Sequence, residues 1–159
     1  MIKLLNLSNL LFFFIITLTT SCSSAKNEEV KENEIHISCD INEFNKIYEN
    51  FKENTYIPAT ISYNGKTWEG VKLRVRGDSS RKLPKKSLKL KFSKKDLFFN
   101  DAQKINLNAE WYDKTYMTQY LASSLMQENG IPCFESKHVF VYLNGSFHGI
   151  YLMIENIDK

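Results

Sequence analysis

The sequence predicts an α+β domain, a mainly antiparallel sheet with two helices against one face. Three observations predict it. Asn64-Gly65 and Asn144-Gly145 each sit between alternating apolar runs, the strongest short-range hairpin signal. Two stretches behind Asp40 and Asp113 space their apolar residues three to four apart, as capped helices do. The stretch Val71–Phe92 alternates apolar and polar residues at both ends around a polar turn, the period of half-buried strands.

Taken in order, the chain opens with Lys3 and an apolar run, Leu10 to Leu18, too short to span a bilayer as a helix. It runs into Leu18-Thr19-Thr20-Ser21-Cys22, which resembles a bacterial lipoprotein signal. Residues 1–21 would be removed and Cys22 would carry lipid. Thr19 stands where an apolar residue is usual, so a plain secretory signal is the alternative. Residues 22–34 are polar, charged and free of aromatics, the composition of a tether. The domain then occupies 35–159. Cys39 and Cys133 could pair in an exported protein or stay as separate buried thiols, and neither has metal-ligand spacing.

Ile35–Ser38 reads as a short strand. Asp40 with Glu43 forms a capping box before a helix whose apolar face is Ile41, Phe44, Ile47, Tyr48 and Phe51. Ile57, Ala59, Ile61 and Tyr63 alternate up to the first Asn-Gly, and the strand returns through Trp68 into the Val71 stretch. Ile105–Asn108 is another short strand. Asp113 heads the second helix, with Met117, Leu121, Leu125 and Glu128 at helical spacing, and Asn129-Gly130 and Pro132 stop it. Val139, Val141 and Leu143 lead into the second Asn-Gly, and Ile150, Leu152 and Ile154 share a face on the way back.

Composition and charge narrow the function. At 43% hydrophobic and 13% aromatic residues the chain can bury a core. Its net charge of +3 is only mildly basic, and the basic strands lack interleaved aromatics, so nucleic acid is not the expected partner. The charge is unevenly placed. From Val71 to Lys95 there are eleven Lys and Arg against one acid, Asp78, so this segment is +10 and the remainder −7. Such concentration implies an anionic partner at close range, unless it is an ordinary solvated lysine face. The turn Gly77-Asp78-Ser79-Ser80 adds backbone N–H groups and hydroxyls suited to phosphate oxygens.

Four ordered motifs carry a resemblance. Arg76-Gly77-Asp78-Ser79-Ser80-Arg81 followed by Pro84-Lys85-Lys86-Ser87 resembles the RGNSSR…PKKS signature of the CotH kinase (spore coat protein H) family, with Asp78 where Asn is common. Asp113 matches that family's aspartate before its long helix. Val141–Gly145 with Gly149-Ile150-Tyr151 resembles its hairpin, and Glu155-Asn156-Ile157-Asp158 its E-x-I-D ending.

The resemblance implies an atypical secretory protein kinase that uses ATP with Mg²⁺ or Mn²⁺ to phosphorylate serine on protein substrates. It implies that 35–159 is the nucleotide-gripping part, resembling a kinase N-terminal lobe truncated before its C-lobe. Catalytic and metal-binding carboxylates are then expected beyond Lys159, with no catalytic residue in this chain. By strand parity Lys86 is the expected ATP lysine, with Lys85 the runner-up. Arg76 and Arg81 would pair with phosphate oxygens bidentately, while Gly77, Ser79 and Ser80 form the turn over them. Glu155 would either contact the nucleotide or end the sheet, and Asp113 reads as a helix cap. His36, His138 and His148 are scattered and support neither a metal site nor a catalytic triad. The expected setting is the bacterial cell envelope, exported and membrane-anchored through Cys22. The competing reading is a lipid-anchored surface module whose basic face binds acidic glycans or host proteins.

Overall fold

The computed structural model describes residues 33–156, and the expected signal peptide, lipidated Cys22 and most of the tether lie outside them. Seven strands carry the fold: β1 (Glu34–Ser38), β2 (Ile57–Tyr63), β3 (Lys66–Arg76), β4 (Ser87–Lys91), β5 (Lys104–Asn108), β6 (Ser136–Leu143) and β7 (Ser146–Glu155). Two helices accompany them, α1 (Ile41–Glu49) and α2 (Thr118–Glu128).

The strands close into a barrel in the order β1-β2-β3-β4-β5-β7-β6. This overturns the expected α+β layering and its likeness to a kinase N-terminal lobe. Six junctions are antiparallel, and the seventh is a parallel pairing of β1 with β6, Ile35 opposite Val141 and Ile37 opposite Leu143. Hairpin signals specify only neighbours in sequence. The junction that closes the sheet joins its first strand to its sixth, and no local pattern encodes it. Register shifts in β2·β3 and β6·β7 add the curvature that closure needs.

Alternation then decides the interior. Leu73, Val75, Leu88, Leu90, Ile105, Leu107, Val139, Val141, Tyr151 and Met153 are all buried in one continuous core. Each end of the barrel has its own plug. At the end where β3 runs into β4, α1 supplies Phe44 and Ile47 to the core. Asp40 caps α1 by accepting from the N–H groups of Asn42 (2.7 Å) and Glu43 (3.0 Å). At the other end Trp68, Phe92 and Phe98 stack edge and face within 4.6–5.8 Å, each such pair adding about 0.5–1.5 kcal/mol beyond its buried area.

The two helices therefore do not share a face. Helix α2 lies outside the barrel, tied to β6 by Ser123–Ser136 (2.8 Å) and by the Tyr120 ring against His138. It fully buries only Ser123 and leaves Leu121, Leu125 and Met126 exposed. It also starts later than the sequence suggested. Asp113 heads an intervening turn, its carboxylate accepting from the Thr115 N–H (2.9 Å) and hydroxyl (2.6 Å) and from the Thr118 N–H (2.8 Å). These bonds hold that carboxyl well below the ordinary carboxylate range. Cys39 and Cys133 are both free thiols.

The second Asn-Gly turn fastens the closing seam. Asn144 donates its backbone N–H to the Ile37 carbonyl (2.8 Å), while its side chain accepts from the Cys39 N–H and donates to the Cys39 carbonyl, both at 3.0 Å. Positive φ at Asn144 (48°) and Gly145 (82°) is the type I′ geometry that makes this reach possible.

Candidate anion-binding site

The basic segment forms the β3–β4 hairpin and the turn that joins its strands. β3 ends on Arg76, whose guanidinium donates to Asn108 Oδ1 at 2.5 Å. Asn108 in turn donates to Gln119 Oε1 (2.8 Å), so one relay runs from β3 through β5 to α2. Partial burial, with Arg74 near by, lowers the Arg76 pKa. Past Arg76 the chain turns at Gly77, where φ is +114° and the Ser80 hydroxyl occupies the space a Cβ would need. A short 3₁₀ turn, Ser79–Lys82, follows.

The consecutive lysines then part. Lys86 has the inward parity of Leu88 and Leu90, as expected, but inward at this end is the plugged barrel mouth. It is 6% exposed, donates to the carbonyls of Arg81 (2.6 Å) and Leu83 (2.9 Å), and lies over the rings of Tyr48 and Phe51. Lys85 points the other way. Its ammonium donates to the carbonyls of Ala109 (2.9 Å) and Ile150 and sits over the rings of Tyr151 (4.4 Å) and Tyr116 (4.8 Å). Burial lowers its pKa from 10.5 to about 8, with Glu110 pulling in the opposite direction.

Lys85 and Arg76 open onto one cavity of about 710 Å³, within the range of small-molecule sites. Gly77, Ser80 and Ser87 complete this basic wall. Glu110, Trp111, Tyr112 and Asp113, with Thr118 and Gln119 from the first turn of α2, line it as well. The hydrogen bonds described for Arg76 and Lys85 all go to neutral oxygens. Two cations face this cavity with no carboxylate in hydrogen-bond contact, while Glu110 and Asp113 share its lining and Glu110 is near enough to act on Lys85.

Four of the expected residues thus meet at the cavity: Arg76, Gly77, Ser80 and Lys85. Four lie outside its lining. Ser79 is exposed on the turn, and Lys86 is inside the barrel mouth. Arg81 braces the α1–β2 connection, donating to Gly77 O, to Phe51 O (3.1 Å) and to Asn54 Oδ1 (2.7 Å). Glu155, the last residue of β7, pairs with Ile105 of β5. Sequence reasoning missed Asn108 and the run Glu110-Trp111-Tyr112. The available signal was two adjacent aromatics in a segment belonging to neither a strand nor a helix.

Comparison with known proteins gives this geometry a family. The model of the family described as CotH kinase protein matches residues 73–159, more than half of the chain. The chain belongs to the CotH family. Among curated proteins it is similar to the inner spore coat protein H of Bacillus subtilis (strain 168), 31% identical over 103 residues. That match covers 65% of this chain and 28% of the relative, so the chain spans under a third of that protein's length.

Two CotH motifs far apart in sequence, Pro84-Lys85-Lys86-Ser87 and Gly149-Ile150-Tyr151, meet at Lys85. At Gly149 φ is +144°, and a Cβ there would meet Lys85 Cε at 3.2 Å. Ile150 supplies a carbonyl to the same ammonium, and the Tyr151 hydroxyl donates to the Lys86 carbonyl at 3.2 Å. The glycine-isoleucine-tyrosine triplet of β7 is therefore the seat of the lysine pair that follows Pro84.

Proposed function

We propose that this CotH-family barrel binds the phosphates of a nucleotide, and that in the complete protein it serves ATP-dependent phosphoryl transfer to serine on a protein substrate. One observation carries the reading: Arg76 and Lys85, brought from opposite sides of a turn, face one cavity with only neutral oxygens as hydrogen-bond partners. Phosphoryl transfer depends mostly on positioning and charge neutralisation, and two fixed cations beside a hydroxyl-bearing turn supply both. Among the described residues no three His, Cys, Asp or Glu side chains gather into a metal site. These residues therefore do not by themselves fit a Mg²⁺ or Mn²⁺ ion. The relative's name places that protein in the spore coat. We extend an envelope or coat setting to this chain, with export and lipid on Cys22 as its route there.

The test is thermal unfolding and calorimetry of the full chain with ATP, ADP and inorganic triphosphate, each with Mg²⁺. A ligand at a hundred times its Kd stabilises the fold by about 2.7 kcal/mol. Lys85→Met should abolish that gain. No stabilisation or heat with any of the three would overturn the reading.

A second reading has its own observation. On the outer face of the barrel Lys72 is directly opposite Lys91. Like charges directly across strands destabilise a sheet, and a polyanion laid on that face would relieve the repulsion. Salt-sensitive binding of an acidic glycan that Lys72→Glu and Lys91→Glu abolish, and Lys85→Met does not, would favour it.

A further inference from the structure

We propose that His138 is a positioning residue for the anion site: through the Tyr116 carbonyl it holds the Tyr116 ring over the Lys85 ammonium, and so fixes a cation that faces the cavity. The inference rests on the phosphate-binding reading above, and it gives a role to two residues outside the cavity lining.

The contacts begin on β6. Val139 and Val141 point into the core, so His138 stands on the outer face of that strand, opposite Leu152 of β7. The Tyr120 ring of α2 packs on it with centroids 5.0 Å apart. Its Nε2 is 2.6 Å from the Tyr116 carbonyl oxygen. A carbonyl only accepts, so this ring nitrogen carries the proton and donates.

Tyr116 needs such a tie. Its φ is +58°, in the left-handed region that bulky residues avoid, and such a conformation persists only where the surroundings hold it. Its own N–H bonds the Asp113 carbonyl (3.2 Å) within the same turn, whereas His138 fastens it to the barrel. Held this way, the Tyr116 ring lies 4.8 Å from Lys85 Nζ, with the Tyr151 ring on the same ammonium at 4.4 Å. Two rings and the carbonyls of Ala109 and Ile150 leave a flexible lysine stem one stance. They also keep water from the ammonium, which is why its pKa falls from 10.5 to about 8. Besides the two tyrosines, Glu110 and His148 are the titratable groups close enough to interact with Lys85. His138 acts on Glu110 as well, so a test must separate its hydrogen bond from its charge.

The experiment is titration calorimetry of the full chain with inorganic triphosphate at pH 7 and pH 9. In the wild type the Kd should rise about tenfold over that interval, as Lys85 loses its proton. His138→Leu keeps bulk against Tyr120 and lacks the donor, and Tyr116→Ala removes the ring. In both, water returns to the ammonium, Lys85 stays charged at pH 9, and the ratio of the two Kd values should fall toward parity. His138→Gln, whose side-chain amide donates to the same carbonyl without charge, should keep the wild-type ratio. A residue that only stabilised the fold would shift both Kd values alike and leave their ratio alone. A tenfold ratio preserved in both His138→Leu and Tyr116→Ala would therefore sink the positioning and leave phosphate binding intact. A ratio lost equally in His138→Gln would trace the effect to charge acting on Glu110 and also sink it. Wild-type protein that binds no triphosphate at either pH would remove the phosphate reading and this one with it.

Discussion

Lys85 should make phosphate binding fade between pH 7 and pH 9, where an ordinary lysine would not. Its ammonium is desolvated among Tyr116, Tyr151 and the Ala109 carbonyl, and its pKa falls from 10.5 to about 8. With that value about nine-tenths of Lys85 is charged at pH 7 and about one-tenth at pH 9, whereas a lysine at 10.5 stays almost wholly charged at both. If the cation is required, the Kd for inorganic triphosphate rises about tenfold over the interval. The same shift acts on stability with a definite sign. Between about 8 and 10.5 the unfolded chain holds a proton on this lysine that the folded chain has lost, so this group makes stability rise with pH there. Binding and stability should therefore move in opposite directions above pH 8. Calorimetry at half-unit steps checks the first and urea unfolding the second, with Lys85→Met as the variant in which both pH-dependent components vanish. A wild-type affinity that stays flat to pH 9 would refute the argument.

Three further perturbations separate neighbouring parts of the fold. Gly149→Ala places a methyl group 3.2 Å from Lys85 Cε at a φ that residues with side chains avoid, costing about 1–3 kcal/mol; differential scanning calorimetry should show a lower Tm, and triphosphate affinity should fall with it. Asn144→Ala removes both side-chain bonds to Cys39, about 1 kcal/mol each, and urea titration should show this loss without any change in phosphate binding. Lys86→Met leaves the Arg81 and Leu83 carbonyls without their ammonium donor, a loss of about 1–3 kcal/mol. Its triphosphate affinity should fall far less than that of Lys85→Met, which titration of the two variants side by side will show.

What could be read from the sequence was what is local. The Asp40 cap and the two Asn-Gly hairpins stand where the pattern put them, because a cap or a two-residue turn needs only adjacent residues. The β1·β6 seam could not be read, because its only local trace is a five-residue strand with no mark of its second partner. Strand parity placed Lys86 on the side of Leu88 correctly, yet parity says nothing of what occupies that side. Tyr48 and Phe51 fill it, and the cavity lies on the side of Lys85. Helix α2 was legible only in part for a related reason. The spacing of Met117, Tyr120, Leu121 and Leu125 marks a helix without saying which side is covered, and the stripe that meets the barrel is Gln119, Tyr120 and Ser123, joined by hydrogen bonds and a ring contact. The Glu110–Tyr112 wall was invisible because residues that serve a cavity from a loop have no periodicity to betray them.

The first strand is the keystone of this barrel. Five residues, Glu34–Ser38, satisfy the backbone of β2 on one side and of β6 on the other. A proteolytic cut ahead of Asn33, whose carbonyl accepts from the Phe140 N–H, would spare both ladders. Removal of the strand itself would bare two edges at once, each with a row of unpaired amide and carbonyl groups able to recruit another chain. Fragments that begin after Ser38 should accordingly precipitate or pair edge to edge, while those that keep it stay self-contained.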